Sequence, residues 1–245
     1  MALKAPPPPP AVVYDWTGFY IGGHVGYAWS TTSIADPGSW LPCCFNGGVG
    51  GTVNTVDVRP SAFLGGVQAG LMYQSGWLVA GADFDWSAMN MKGSGGAPST
   101  AAAPLFMVES FAVKSRWIFI AAPTVGVARD RWLIYAKAGG AWIDNSYGDS
   151  VTGNGNASGP FTITPSGMDK ILSGWTAGAG IKWAFTDSWF VNLDYDYLDF
   201  GSKTENFTGA CPATCNFPIV SISPSFKQQI SQIELGLNYK FNTRR

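Results

Sequence analysis

Apolar residues recur at every second position in eight separate stretches of this chain from Trp16 onward. Successive side chains of a strand point to opposite faces, so this alternation marks strands with one apolar and one polar side. In the first stretch Phe19, Ile21, Val25, Tyr27 and Trp29 oppose Tyr20, Gly22, His24, Gly26 and Ala28. The second, Ser61 to Gln74, sets Phe63, Val67, Leu71 and Tyr73 against Gln68 and Gln74. The third sets Leu78, Ala80, Ala82, Phe84 and Trp86 against Asp83, Asp85 and Ser87. The fourth, near Phe111 to Val127, sets Trp117, Phe119, Val125 and Val127 against Lys114, Arg116 and Thr124. Trp132, Ile134, Ala136, Ala138 and Trp142 then oppose Tyr135 and Lys137. Trp175, Ala177, Ala179, Ile181, Trp183 and Phe185 oppose Thr176 and Lys182. The last two stretches set Trp189, Val191, Leu193, Tyr195 and Tyr197 against Asn192, Asp194 and Asp196, then Ile233, Leu235, Leu237, Tyr239 and Phe241 against Glu234, Asn238 and Lys240.

Connections alternate in length. Short turns fall at Ser75-Gly76, Arg129-Asp130-Arg131 and Thr186-Asp187-Ser188, while long links run at about 30–60, 90–110, 143–172 and 201–229. Tight turns at one end and long loops at the other imply an all-β fold, an eight-stranded antiparallel transmembrane β-barrel of a bacterial outer membrane. The turns would be periplasmic and the four long loops extracellular. Aromatic placement agrees, because amphipathic rings favour the membrane interface. Trp16, Trp77, Trp132, Trp189 and Tyr239 fall at the turn end, and Trp29, Trp86, Trp142 and Tyr197 at the loop end, as two girdles.

Composition supports an apolar outside. Charged residues make up 13% of the 245 residues, against about 25% in a soluble domain. No run reaches the ~18 apolar residues of a spanning helix. A formal net charge of −1 offers no basic stripe for nucleic acid. Residues 1–15 form a tail whose prolines, Pro6 to Pro10, favour a stiff extended spacer. Met1 to Ala5 lack the apolar segment of an export signal, so the expectation is a mature form with its signal removed. Residues 242–245 form a short C-terminal tail.

Trp16-Thr17-Gly18-Phe19-Tyr20-Ile21-Gly22-Gly23 after a proline-rich leader resembles the small alphaproteobacterial outer-membrane immunogenic proteins. That family carries the porin label and is related to the outer-membrane protein A barrel. Asp130 to Ala136, Gly174 to Gly180, Phe185 to Trp189 and Leu235 to Phe241 carry the same likeness, which spans the strands and none of the long loops. Departures are Ala122 and Thr124 where the family has inward arginines, and Pro123 within that run, which predicts a bulge or local break. Four residues also follow Phe241, where such barrels end on an aromatic.

The inward charges are Asp83, Asp85, Asp194, Asp196 and Glu234 against Lys114, Arg116, Lys137, Lys182 and Lys240. Eight strands leave just enough interior for side chains to fill it, so these groups read either as an ion-paired plug or as the lining of a narrow ion path. No nucleophile accompanies Asp194 and Asp196, so no catalysis is expected. His24, the one histidine, faces inward. The family resemblance implies haem as a conceivable ligand there, but no cofactor and no metal is expected. Cys43, Cys44, Cys211 and Cys215 lie in the first and fourth loops and read as disulfide candidates of open connectivity. The expected role is structural and surface-exposed, among outer-membrane lipid and lipopolysaccharide. The resemblance adds attachment of the tail to peptidoglycan. A small ion pore and a surface receptor are the alternatives, and apolar loop segments such as Pro218 to Val220 suit a homo-oligomer or lateral packing.

Overall fold

The computed structural model describes residues 14–35, 39–40, 50–51, 55–98, 106–155, 159–163, 167–210, 219–222 and 224–241. Eight long strands build the wall: β1 (Gly18–Ala35), β2 (Ser61–Ser75), β3 (Leu78–Pro98), β4 (Phe106–Arg129), β5 (Trp132–Gly155), β6 (Met168–Ala184), β7 (Trp189–Thr204) and β8 (Ser225–Phe241). Each pairs antiparallel with the next, and β8 returns to β1 from Phe19↔Phe241 to Ala35↔Ser225. Closing the sheet removes its edges, which is how strands satisfy their backbone in hydrocarbon. The tight turns hold left-handed residues, Gly76 at φ 62° and Asp130 at φ 53°. Asp is among the few side chains that tolerate this conformation.

Strands reach further than the alternation predicts. β1 continues to Ala35, β3 to Pro98, β5 to Gly155 and β7 to Thr204, while β4 begins at Phe106, β6 at Met168 and β8 at Ser225. All four long links therefore surrender residues to the wall. Beyond the membrane the outer face meets water and not lipid, so these segments pair there with Ser, Gly and Lys outward while Ile34, Met91, Phe111, Tyr147 and Phe226 stay inward.

β4 carries a change of phase. Trp117 pairs with outward Ala88 and with Asp144, yet Ser115 pairs with inward Met91 and Asn145. One extra residue, Arg116, sits between them as a bulge, and every side chain beyond it changes face. Lys114 is therefore exposed, and Arg116 is partly exposed on the outer wall, not the lumen. At Pro123 the ladder to β5 skips from Ala121↔Gly140 to Thr124↔Lys137 without a change of offset. A residue lacking an N–H breaks the pairing locally there and adds no bulge.

Trp29, Trp77, Trp86, Trp132, Trp142, Trp189, Tyr197 and Tyr239 all lie on the outer wall. Trp175, 5.6 Å from Tyr197, and Trp183, stacked on Trp132 at 5.7 Å, join the two rings. Trp189 to Tyr197 spans eight residues and Trp132 to Trp142 ten. At ~3.4 Å per residue and a ~40° tilt the two rings lie about 21–26 Å apart along the barrel axis. Trp16 is the correction: it is 0% exposed and packs inside the turn end, against Phe190 at 5.6 Å.

Candidate functional site in the barrel interior

The interior has three layers. At the turn end Trp16, Tyr20, Met72, Leu133, Tyr135 and Phe190 belong to one apolar cluster. At the loop end Ile34, Met91, Phe111, Ile118, Tyr147 and Phe226 belong to another. Between them lies a buried polar layer that includes His24, Gln68, Asp83, Asp85, Ser87, Lys137, Lys182, Asn192, Asp194, Asp196, Gln232 and Glu234.

Glycines make room for this layer. Across the ladders Gly70 faces Asp83, Gly178 faces Asp196, Gly180 faces Asp194, Gly22 faces Asn238 and Gly26 faces Glu234. A Cβ at Gly70 would lie 2.6 Å from the Tyr20 ring, and one at Gly180 would lie 2.8 Å from the Tyr135 ring. Each long polar chain thus lies over a position with no side chain of its own.

Lys182 Nζ lies 3.0 Å from Asp83 Oδ2 and 4.4 Å from the Tyr135 ring centroid, while the Tyr20 hydroxyl donates to Asp83 Oδ1 at 2.8 Å. The Tyr135 hydroxyl donates to Asp194, which also accepts from Asn192 Nδ2 at 2.5 Å. Lys137 Nζ bridges Asp196 Oδ2 at 3.0 Å and Asp85 Oδ2 at 3.5 Å. Gln68 Nε2 donates to Asn192 and Asn238 at 2.7 and 2.6 Å. His24 Nε2 and Ser87 Oγ share a hydrogen bond of 2.7 Å, and Ser87 donates onward to Glu234 Oε1 at 3.1 Å. One ligand atom from each of His24, Asp85 and Glu234 fits within a span of 4.8 Å.

Residues 1–241 match the family described as outer membrane protein beta-barrel domain. The chain belongs to this family. The 31 kDa outer-membrane immunogenic protein of Brucella melitensis is 29% identical over 97% of this chain and 89% of its own length. The 25 kDa outer-membrane immunogenic protein of Brucella abortus is 24% identical over 98% and 88%. Among solved structures, OprG of Pseudomonas aeruginosa aligns over 94% of this chain and 99% of its own at 10% identity and TM-score 0.47. The Ail protein of Yersinia pestis covers 92% and 99% at 9% identity and TM-score 0.38. This outer-membrane barrel is thus placed among the alphaproteobacterial immunogenic proteins that its strand motifs resemble.

Of the inward charges expected from the sequence, Asp83, Asp85, Lys137, Lys182, Asp194, Asp196 and Glu234 meet in the polar layer of this outer-membrane barrel. Lys240 is buried but stands apart at the turn end, where its Nζ donates to the Asp15 carbonyl and lies 4.1 Å from the Tyr14 ring centroid. Trp16 N donates to Gln74 Oε1 at 2.8 Å, so residues 14–17 form the floor of the barrel. Burial pushes the Tyr14 phenol up. Arg116 instead binds Asp144 at 2.7 Å and Asp169 at 3.2 Å on the outer wall. A hydrogen bond from Ser146, with Arg116 nearby, holds the Asp169 carboxyl below its usual range. Sequence reasoning missed the apolar layers above and below the network, and Gln68, Ser87 and Gln232 as its neutral members. Cys43, Cys44, Cys211 and Cys215 lie outside the described residues, as do residues 1–13 and 242–245.

Proposed function

We propose that this outer-membrane barrel is a structural, surface-presenting protein with a filled lumen, and not an enzyme. The layered interior carries the reading. A pore needs a continuous wet path, and here an ion would have to cross a packed layer at each end of the polar one, apolar at the turn end and, at the loop end, apolar around the hydrogen-bonded set Ser115, Asn145, Tyr147 and Gln228. The carboxylate pair Asp194 and Asp196 is occupied by Tyr135, Asn192 and Lys137. Haem binding at His24 is disfavoured by its position, since the ring is buried beside Ser87 and Glu234. In this reading the turn end and the proline-rich tail face the periplasm, the loop end faces the medium, and the tail attaches the barrel to peptidoglycan.

The test is conductance of the folded, full-length chain in a planar bilayer. A silent membrane is expected, with folding checked separately by resistance of the barrel to unfolding in detergent at room temperature. Steady single-channel steps that scale with salt would overturn the filled lumen. They would make the excess of interior carboxylates a cation-selective lining.

A further inference from the structure

The polar layer is unbalanced. Its carboxylates, Asp83, Asp85, Asp194, Asp196 and Glu234, face only Lys137 and Lys182 as permanent cations among the described residues. Lys182 is committed to Asp83, and Lys137 is shared between Asp196 and Asp85. Glu234 has no ammonium or guanidinium within ion-pair distance among the described residues; its one basic neighbour is His24, at 3.6 Å. A buried carboxylate without a compensating charge costs several kcal/mol. Something must supply that charge, a proton or a cation.

The geometry favours a cation. His24 comes from β1, Asp85 from β3 and Glu234 from β8, so three separate strands aim ligand atoms at one point inside 4.8 Å. An ion held at the usual ~2.0–2.2 Å from imidazole nitrogen and carboxylate oxygen places its donors about 3.3–3.6 Å apart in a tetrahedral set. The His24 Nε2 to Glu234 Oε1 separation of 3.6 Å already has that value. Unused lone pairs remain beside it: Glu234 Oε2 and Gln232 Oε1 are buried without a hydrogen-bond partner among the described residues, while Asp85 Oδ2 is shared with Lys137 at 3.5 Å. Because Ser87 gives its one proton to Glu234, His24 Nε2 is the donor to Ser87; Nε2 takes a metal once that proton passes to Nδ1, which lacks a hydrogen-bond partner among the described residues. Ser87 and Gln232, each 3.1 Å from Glu234 Oε1, hold the carboxylate in place, as outer partners of metal ligands do.

We propose that His24, Asp85 and Glu234 form an interior site for one divalent transition-metal ion of the Zn2+ type, captured as the barrel folds. The packed layers at the two ends then slow exchange of the bound ion with solvent. The site stands whether or not the tail is tethered, and conductance is read in a separate experiment.

Unfolded full-length chain is refolded into detergent micelles with Zn2+ or with chelator, freed of loose metal, and analysed for metal per folded chain. Refolding with Co2+ gives a second readout, a visible ligand-field band. The variants are Glu234→Gln, which keeps shape while removing a ligand and a charge, and His24→Ala. Asp194→Asn is the control that lowers the same charge excess without touching a ligand. About one ion per chain is expected in the unaltered protein and in Asp194→Asn, with at least a tenfold loss in the other two variants. The Co2+ band should follow the same pattern. Equal metal in all four proteins overturns the assignment, as does a metal-free unaltered protein that folds equally well in chelator. In the latter case protons neutralise Glu234, and Glu234→Gln should fold as readily as the unaltered chain.

Discussion

Asp194 fits inside the wall because Gly180, directly across the ladder, has no side chain to oppose it. The carboxylate and the Tyr135 ring both occupy the space where a Cβ at Gly180 would stand. Gly180→Ala must therefore push apart a charged hydrogen-bonded pair in a packed interior, where overpacking costs about 1–3 kcal/mol. Gly65 lies on the outer face, and a Cβ there would meet nothing nearer than 3.6 Å. Gly65→Ala should change stability by no more than about 0.5 kcal/mol. Reversible urea unfolding of the barrel in lipid vesicles measures both. Equal effects would refute the view that glycines set the interior volume. The alternation in the sequence puts Gly22 and Gly26 on the inward face, but it does not say which side chain each glycine faces. Their partners come from neighbouring strands, and register is not written in either strand alone.

At the scale of elements, the N-terminal segment joins two roles. Residues 14–17 are bound to the barrel floor through Trp16, Asp15 and Tyr14, so the tail leaves from a fixed point. Pro6 to Pro10 lie in that tail, and a run of prolines favours an extended chain of ~3.1 Å per residue. If that tail is joined to the wall, detergent extraction of cells should leave the protein with the wall until the peptidoglycan is digested. Removing residues 2–13 should shift it to the detergent fraction with the barrel still folded. Complete extraction of the intact protein by detergent alone would end the tether proposal. The strands that cross the membrane were legible because lipid outside and polar groups inside enforce a strict alternation. The bulge at Arg116 was not, since one inserted residue reverses the faces without changing composition, which is why Lys114 and Arg116 read as inward. Trp16 misled for a related reason. A tryptophan just before a strand resembles an interface anchor, and only the fold of Tyr14 and Asp15 beneath the barrel turns it inward.

For the whole molecule, the decisive property is that two media lie one residue apart. Glu234 is buried in the lumen, and Leu235 beside it is 54% exposed on the outer wall. Leu235 lies midway between Tyr239 of the turn-end girdle and Ser231, which pairs with Trp29 of the loop-end girdle. Its ladder neighbours Val25 and Leu193 are apolar and exposed as well. If the aromatic rings bound the membrane, this belt is the centre of the hydrocarbon contact, where arginine on a barrel's lipid face costs about 2–4 kcal/mol and near the interface only about 0–1 kcal/mol. Ile171 is 59% exposed too, but it lies four residues beyond Trp175 toward the loop end. Leu235→Arg should therefore lower the unfolding free energy in vesicles by about 2–4 kcal/mol, and Ile171→Arg by about 1 kcal/mol or less. The same pair compared in short-chain detergent micelles should differ much less, because a micelle deforms around the charge. Equal losses for the two substitutions in vesicles would mean that the aromatic rings do not bound the membrane. The strands would then sit at another height, with a different set of residues above the lipid.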